Sequence, residues 1–236
     1  MEIELEPGKD AGAAGPDGAY STQTEAAYWK IRDEILSGRL PPAEKLTLDR
    51  LRETYGFGAS PLREALSRLA ADNLVVAQGQ KGFRVAPISK TEFEDIVDIR
   101  TFIEAEALRR SIENATLDWE SDVVRVYHRL SKIEEMLDKG PADLALQWEK
   151  ENRAYHLTLV EKCGSPWLLR IAAKLFEQSE RYRRQAVARQ AVPKKVLQKQ
   201  HKAIFEAALA RDADKACRLL QEHVRSTAQG VAKVLF

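Results

Sequence analysis

The stretch Gly58 to Ala71, GASPLREALSRLAA, constrains the fold more than any other. At 3.6 residues per turn, Leu62, Ala65, Leu66 and Leu69 fall on one side, and Ser60, Arg63, Glu64, Ser67 and Arg68 fall elsewhere. This is an amphipathic helix that needs a core on one face only. Ser60 followed by Pro61 reads as its start, with Ser as the cap and Pro at the first helical position. Just before it, Leu48 and Leu51 mark a shorter helix closed by Tyr55-Gly56-Phe57-Gly58. Just after it, the apolar runs Leu74–Ala77 and Phe83–Ala86 flank a Gly-rich turn. Helix, tight turn, helix and β-hairpin is the winged helix-turn-helix order, in which the second helix enters the DNA major groove. The same order used for protein contacts alone is the alternative.

The residues here resemble a known family. Ile35-Leu36-Ser37-Gly38 with Leu40-Pro41-Pro42, then Lys45-Leu46, then Pro61-Leu62-Arg63-Glu64-Ala65-Leu66, then Gly79 to Val85, resemble the N-terminal domain of GntR-type bacterial transcriptional regulators over roughly residues 22–88. A recognition helix presents its N-terminal residues to base edges. Ser60 and Arg63 therefore face the bases, and Arg63 has the geometry to pair bidentately with a guanine or to grip a phosphate. Gly79-Gln80-Lys81-Gly82 forms the wing tip, where Gln80, Lys81 and Gly82 approach the backbone or the minor groove. Arg50 and Arg52 are the expected phosphate contacts. The family usually carries an arginine where this chain has Ala59, so the operator is expected to differ from the commonest one.

Charge supports this reading only locally. The chain of 236 residues has a net charge of +1, yet seven basic residues face four acidic ones between Lys45 and Arg84. Cys163 and Cys217 have no paired spacing, which suits free thiols in a reducing cytoplasm. No apolar run approaches the ~18 residues of a membrane span. The first residues are acidic rather than basic-then-apolar, so no signal peptide is expected.

In chain order, residues 1–21, rich in Gly and Pro, read as a disordered tail. Thr22 to Ser37 forms a first helix through Ala26, Ala27, Ile31, Ile35 and Leu36, and Gly38 stops it. The winged helix spans 22–86 and a linker 87–91, where Ser89 followed by Glu92 is a capping-box signature. Residues 92–236 show helical periodicity alone, in segments near 89–113, 118–138, 141–163, 165–190, 193–211 and 212–232. Gly140-Pro141, Gly164-Ser165-Pro166 and Pro193 separate several of them. The fold class is mainly α: a winged helix with a small β-hairpin, then an all-α antiparallel bundle. That order resembles the FadR-type branch of the GntR regulators, whose C-terminal domain senses an effector and supports dimers. Within it, Ser60-Pro61-Leu62-Arg63 and Lys81-Gly82-Phe83-Arg84-Val85 are similar to the carbon-starvation regulators that sense C5 dicarboxylates.

Polar residues in apolar stripes mark the bundle's candidate site. Asn152 and His156 interrupt the stripe Leu144, Trp148, Tyr155, Leu159, Cys163; His201 interrupts Leu197, Ile204, Phe205, Ala208; His223 interrupts Ala216, Leu219, Leu220, Val224. His128 shares its face with Ser131 and Glu135 and reads as surface. Three inward histidines and an amide suit a divalent metal such as zinc, nickel, iron or copper. Each could instead be a hydrogen-bonded core residue. The resemblance implies the first alternative, with zinc or nickel bound by Asn152, His156, His201 and His223. The first ligand is usually aspartate in that family, so the neutral Asn152 implies weaker binding or an empty site. Arg100 lies in the apolar face Phe93, Ile96, Val97, Ile103, Ala107. A buried guanidinium needs an anion, supplied either by Glu104 one turn on or by a carboxylate effector, the role that the resemblance implies. The expectation is a non-enzymatic, cytoplasmic, homodimeric DNA-binding regulator, taken as a repressor and controlled by a small carboxylate. The alternative is a metal-dependent bundle enzyme carrying a winged-helix module, for which neither Glu104 nor Glu151 stands out as an acid or base.

Overall fold

The computed structural model describes residues 22–79, 82–137, 142–188 and 193–236. The tail 1–21, wing-tip residues Gln80 and Lys81, and the Gly140-Pro141 break lie outside the described residues. Two compact units are present: one of residues up to 33 and 43–85, the other of 34–42 and 86–236.

The first unit contains α1 (Gln23–Leu36, its last turn grouping with the second unit), β1 (Lys45–Leu46), α2 (Leu48–Tyr55), α3 (Ala59–Ala71), β2 (Val75–Ala77) and β3 (Phe83–Val85). Leu62, Ala65, Leu66 and Leu69 of α3 are fully buried, as their spacing requires. Burying one such leucine contributes ~1.5–3 kcal/mol. α2 and β2 pack on α3. Gly56 ends α2 with φ 74°, which a glycine adopts without strain. The start of α3 corrects the sequence reading. The helix begins at Ala59 with Gly58 as its N-cap, so Ser60 is inside it and caps nothing. Leu62 N–H already donates to Gly58 C=O at 3.2 Å. Pro61 is therefore the third helical residue, still in the turn whose N–H groups have no intrahelical partner. α1 is tied to α3 by Tyr28 Oη donating to Asp72 at 2.7 Å and by Arg68 stacked 4.5 Å over the Tyr28 ring. The wing has one strand more than its sequence suggests. β3 lies between β1 and β2, antiparallel to both.

The second unit contains α4 (Lys90–Glu113), α5 (Leu117–Met136), α6 (Ala142–Val160), α7 (Pro166–Ala188), α8 (Lys194–Leu209) and α9 (Ala213–Leu235). Side-chain caps start four of them: Ser89 accepts from Glu92 N–H, Thr116 from Trp119 N–H, Ser165 from Leu168 N–H and Asp212 from Lys215 N–H. The capping box is half made, since the Glu92 carboxylate instead accepts from Arg181 and Tyr182. α4 packs on α9 and α7, α5 on α6 and α8, and α8 on α9, around a core that includes Trp119, Trp148, Tyr155, Leu108 and Leu130. Cys163 and Cys217 are free and buried. No described helix is long and apolar enough to cross a membrane.

Candidate functional site

The outward face of α3 carries Ala59, Ser60, Arg63, Glu64, Ser67 and Arg68, all exposed. The Arg63 side chain makes no hydrogen bond or ion pair among the described residues; Ser67 bonds only its backbone carbonyl. A cation held at the start of an exposed helix without an internal partner can take a base edge or a phosphate. Arg50 and Arg52 are also exposed, but Arg50 pairs with Glu44, and Arg52 lies 3.9 Å from Asp49. Gly82 enters β3 with φ 87°, and its carbonyl accepts from Gln78 N–H at 2.8 Å, closing the wing turn.

In the helical unit the inward histidines do converge. His156 of α6, His201 of α8 and His223 of α9 each offer a ring nitrogen within 4.8 Å of the others, and all three are buried. His128 is exposed, as its face suggested. His201 Nε2 and His223 Nε2 stand 3.2 Å apart. Behind them, His201 Nδ1 faces Glu134 Oε1 at 2.7 Å, and His223 Nδ1 faces Gln200 Oε1 at 3.0 Å. Both outer partners are oxygens, so each draws its ring's proton to Nδ1. Two Nε2 lone pairs are then left facing each other, which requires a proton or a metal ion between them. Protonation of His223 is opposed. Burial, reinforced by the charges of His201, His156, Arg100 and Arg183, holds His223 well below the usual histidine range. Burial also pushes His156 down to about 4, against the pull of the nearby Glu104 carboxylate. Two imidazoles on one tetrahedral zinc, at ~2.0–2.1 Å each, stand about 3.3 Å apart. Asn152, one turn before His156, is buried with an Oδ1 that has no hydrogen-bond partner among the described residues. Three imidazoles and an orphaned amide oxygen fit a divalent metal ion.

Arg100 takes the internal anion that its sequence offered. Its Nε donates to Glu104 at 2.6 Å, its Nη1 to Ser179 Oγ at 2.9 Å, and the guanidinium lies 4.8 Å over Phe176. It also lines a cavity with Asn152, His156 and His223. Glu104 is therefore more than a helix-surface acid. Its second oxygen lies 3.7 Å from His156 Nδ1, so one carboxylate links the arginine to the histidine cluster. Burial by itself would raise the Glu104 carboxyl, but Arg100 and His156 outweigh it and hold it at about 2.

A second arginine, missed in the sequence, shares this wall. Arg183 of α7 pairs with Glu149 and donates to the same Ser179 oxygen. Burial, with Glu180 nearby, raises the Glu149 carboxyl against the pull of Arg183. The cavity itself measures about 20 Å³, room for roughly one water. An organic anion enters only if side chains move. The missed carboxylates did leave a signal. Glu134 follows Leu130 by one turn in the buried series Trp119, Val123, Val126, Leu130, and Glu149 precedes His156 by two turns on one face.

Comparison with known proteins agrees with both units. Residues 23–85 match the bacterial regulatory proteins of the gntR family, and residues 95–226 match the FCD domain. The chain is 39% identical over 203 residues to the uncharacterized HTH-type transcriptional regulator BphR of Paraburkholderia xenovorans, covering 86% of this chain and 82% of that one. It is 35% identical over 212 residues to the HTH-type transcriptional repressor GlaR of Escherichia coli, covering 86% and 92%. The solved structure of E. coli McbR/YncC has the same fold, with a TM-score of 0.72 at 20% identity over 92% of this chain and 100% of that one. The chain belongs to the GntR family of bacterial regulatory proteins: it is a DNA-binding transcriptional regulator with an FCD effector domain, not an enzyme.

Proposed function

We propose that this regulator acts in the cytoplasm as a homodimeric repressor, and that a small carboxylate bound beside a divalent metal in the helical unit controls its grip on the operator. The observation that carries the reading is the convergence of His156, His201 and His223, two of which, His156 and His223, line a cavity whose wall also holds Arg100. His156, His201 and His223 are the metal ligands, with Asn152 as a weak fourth. Zinc or nickel suits this donor set. When bound, the metal supplies a fixed positive charge that anchors one end of an anion. Arg100 supplies the other anchor, its guanidinium held over Phe176 and pre-aimed by Ser179. Glu104 occupies Arg100 in the meantime, so the effector has to share or displace an internal carboxylate. On DNA, Arg63 and Ser60 read bases, Arg50, Arg52 and Lys81 hold phosphate, and Gln80 and Gly82 bring the wing close. The repressor sense is supported by the relative named as a repressor.

The test combines metal analysis, thermal shifts and a mobility shift on the gene's own upstream region at ~150 mM salt. Expected results are bound or loadable zinc or nickel, a melting shift with one member of a carboxylate panel, and release of the operator by that compound. A protein that cannot be loaded loses the metal half of the proposal. Operator binding that no carboxylate changes removes the effector half.

A further inference from the structure

We propose that Glu134 is the outer carboxylate of the metal centre: it holds His201 with its proton on Nδ1, aims Nε2 at the ion, and supplies the negative charge that Asn152 does not. The inference rests on the metal-centre reading above. Glu134 belongs to α5, a helix that contributes none of the converging histidines. It is 1% exposed, and its Oε1 accepts from His201 Nδ1 at 2.7 Å and from Trp148 Nε1 at 3.4 Å. Its Oε2 is buried with no hydrogen-bond partner among the described residues.

The charge is what needs explaining. At His223 the same place behind the ring is filled by the Gln200 amide oxygen, so a neutral acceptor is enough to orient an imidazole. Glu104, the carboxylate on the His156 side, has its charge matched by Arg100. Glu149 is matched by Arg183. Among the described residues Glu134 has no lysine or arginine; its one ionisable partner is His201, itself fully buried. A lone buried anion is costly unless a cation stands close behind its partner. A metal ion on His201 Nε2 is such a cation, and a carboxylate behind a ligating imidazole raises the ligand's basicity.

Zinc(II) dissociation constants, measured by competition with a chromophoric chelator, test this in four full-length proteins: wild type, Glu134→Gln, Asn152→Asp and the double variant. Glu134→Gln keeps the volume and an acceptor oxygen but removes the charge. It is expected to bind zinc ~10–100-fold more weakly, the usual effect of losing an outer partner. The double variant is expected to regain much of that loss. A Glu134→Gln protein that melts lower without metal yet binds zinc as the wild type does reduces Glu134 to a structural clamp between α5 and α8, and overturns the proposal. A wild type that takes up no zinc removes the metal centre and this inference together; a wild type that loads while Glu134→Gln loads equally well removes this inference alone. If Glu134→Gln does not fold, nitrogen NMR of the histidine rings in zinc-loaded wild type decides. His201 with its proton on Nδ1 is expected, and coordination through Nδ1 contradicts the proposal.

Discussion

Arg100 and Glu104 show how tightly function and stability are tied at single residues of this site. The pair is buried and hydrogen-bonded. Arg100→Ala removes the anchor and also strands the Glu104 carboxylate, so it should lower bundle stability by ~3–5 kcal/mol. Urea titration of Arg100→Ala against Arg100→Met with Glu104→Met separates the two effects. The double variant should recover most of the stability, and neither should respond to the carboxylate. A normal carboxylate response in Arg100→Ala would leave Arg100 as the structural partner of Glu104. His156 gives the pH behaviour of the metal-free protein. Its value falls from 6.5 to about 4 on burial. The unfolded chain therefore binds the extra proton between these values and the folded chain does not. Stability must decline as the pH drops from 6.5 towards 4. Metal affinity should decline in the same direction, because protons compete for the same nitrogens. Urea midpoints that stay flat across this window would contradict the buried, neutral state of His156.

At the scale of elements, α3 carries the DNA prediction. Arg63→Ala should leave the fold intact, since the side chain is exposed, and weaken the specific operator by ~1–3 kcal/mol relative to random DNA. Leu66→Ala should instead cost ~2–5 kcal/mol of stability through the cavity left under the helix. Circular dichroism with competition mobility shifts distinguishes the two. An Arg63→Ala protein that binds the operator as tightly as the wild-type protein does would mean that α3 is not the reading helix. The helices were legible because an apolar stripe recurs at 3.6 residues, and the histidines because they interrupt such stripes. The two-residue strand β1 is too short to show any period. The start of α3 was misread because Ser60 has the chemistry of a cap, while Gly58 has already taken the extended conformation of one. The buried acids Glu134 and Glu149 were passed over for a different reason. A charged residue on an inward face looks like a solvated one until its partner is known, and each partner sits on another helix: His201 and Arg183. The polar stretch Gln178 to Arg184 of α7 is buried at every position, a burial that no periodicity announces.

For the whole molecule, the two compact units must be coupled through free energy if the protein is a ligand-responsive regulator. One α3 reads only a few base pairs, so a homodimer on a two-fold operator is expected. Sedimentation of the free protein at tens of micromolar should show the dimer, and a monomer there would count heavily against it. Coupling makes a stricter demand. If a carboxylate lowers operator affinity by some factor, then operator DNA must lower carboxylate affinity by that same factor, because both routes reach the same doubly bound state. A ligand that binds the DNA-bound and DNA-free forms equally well shifts nothing, however tightly it is held. Calorimetric titration of the active carboxylate into metal-loaded protein, with and without a saturating operator duplex, measures one factor. Operator titrations with and without the carboxylate measure the other. The two should agree, and Arg100→Met with Glu104→Met should bring both to unity while operator affinity itself is unchanged. Carboxylate binding that is indifferent to the operator would show that the cavity between Arg100 and the histidines is a structural site and that the signal enters elsewhere.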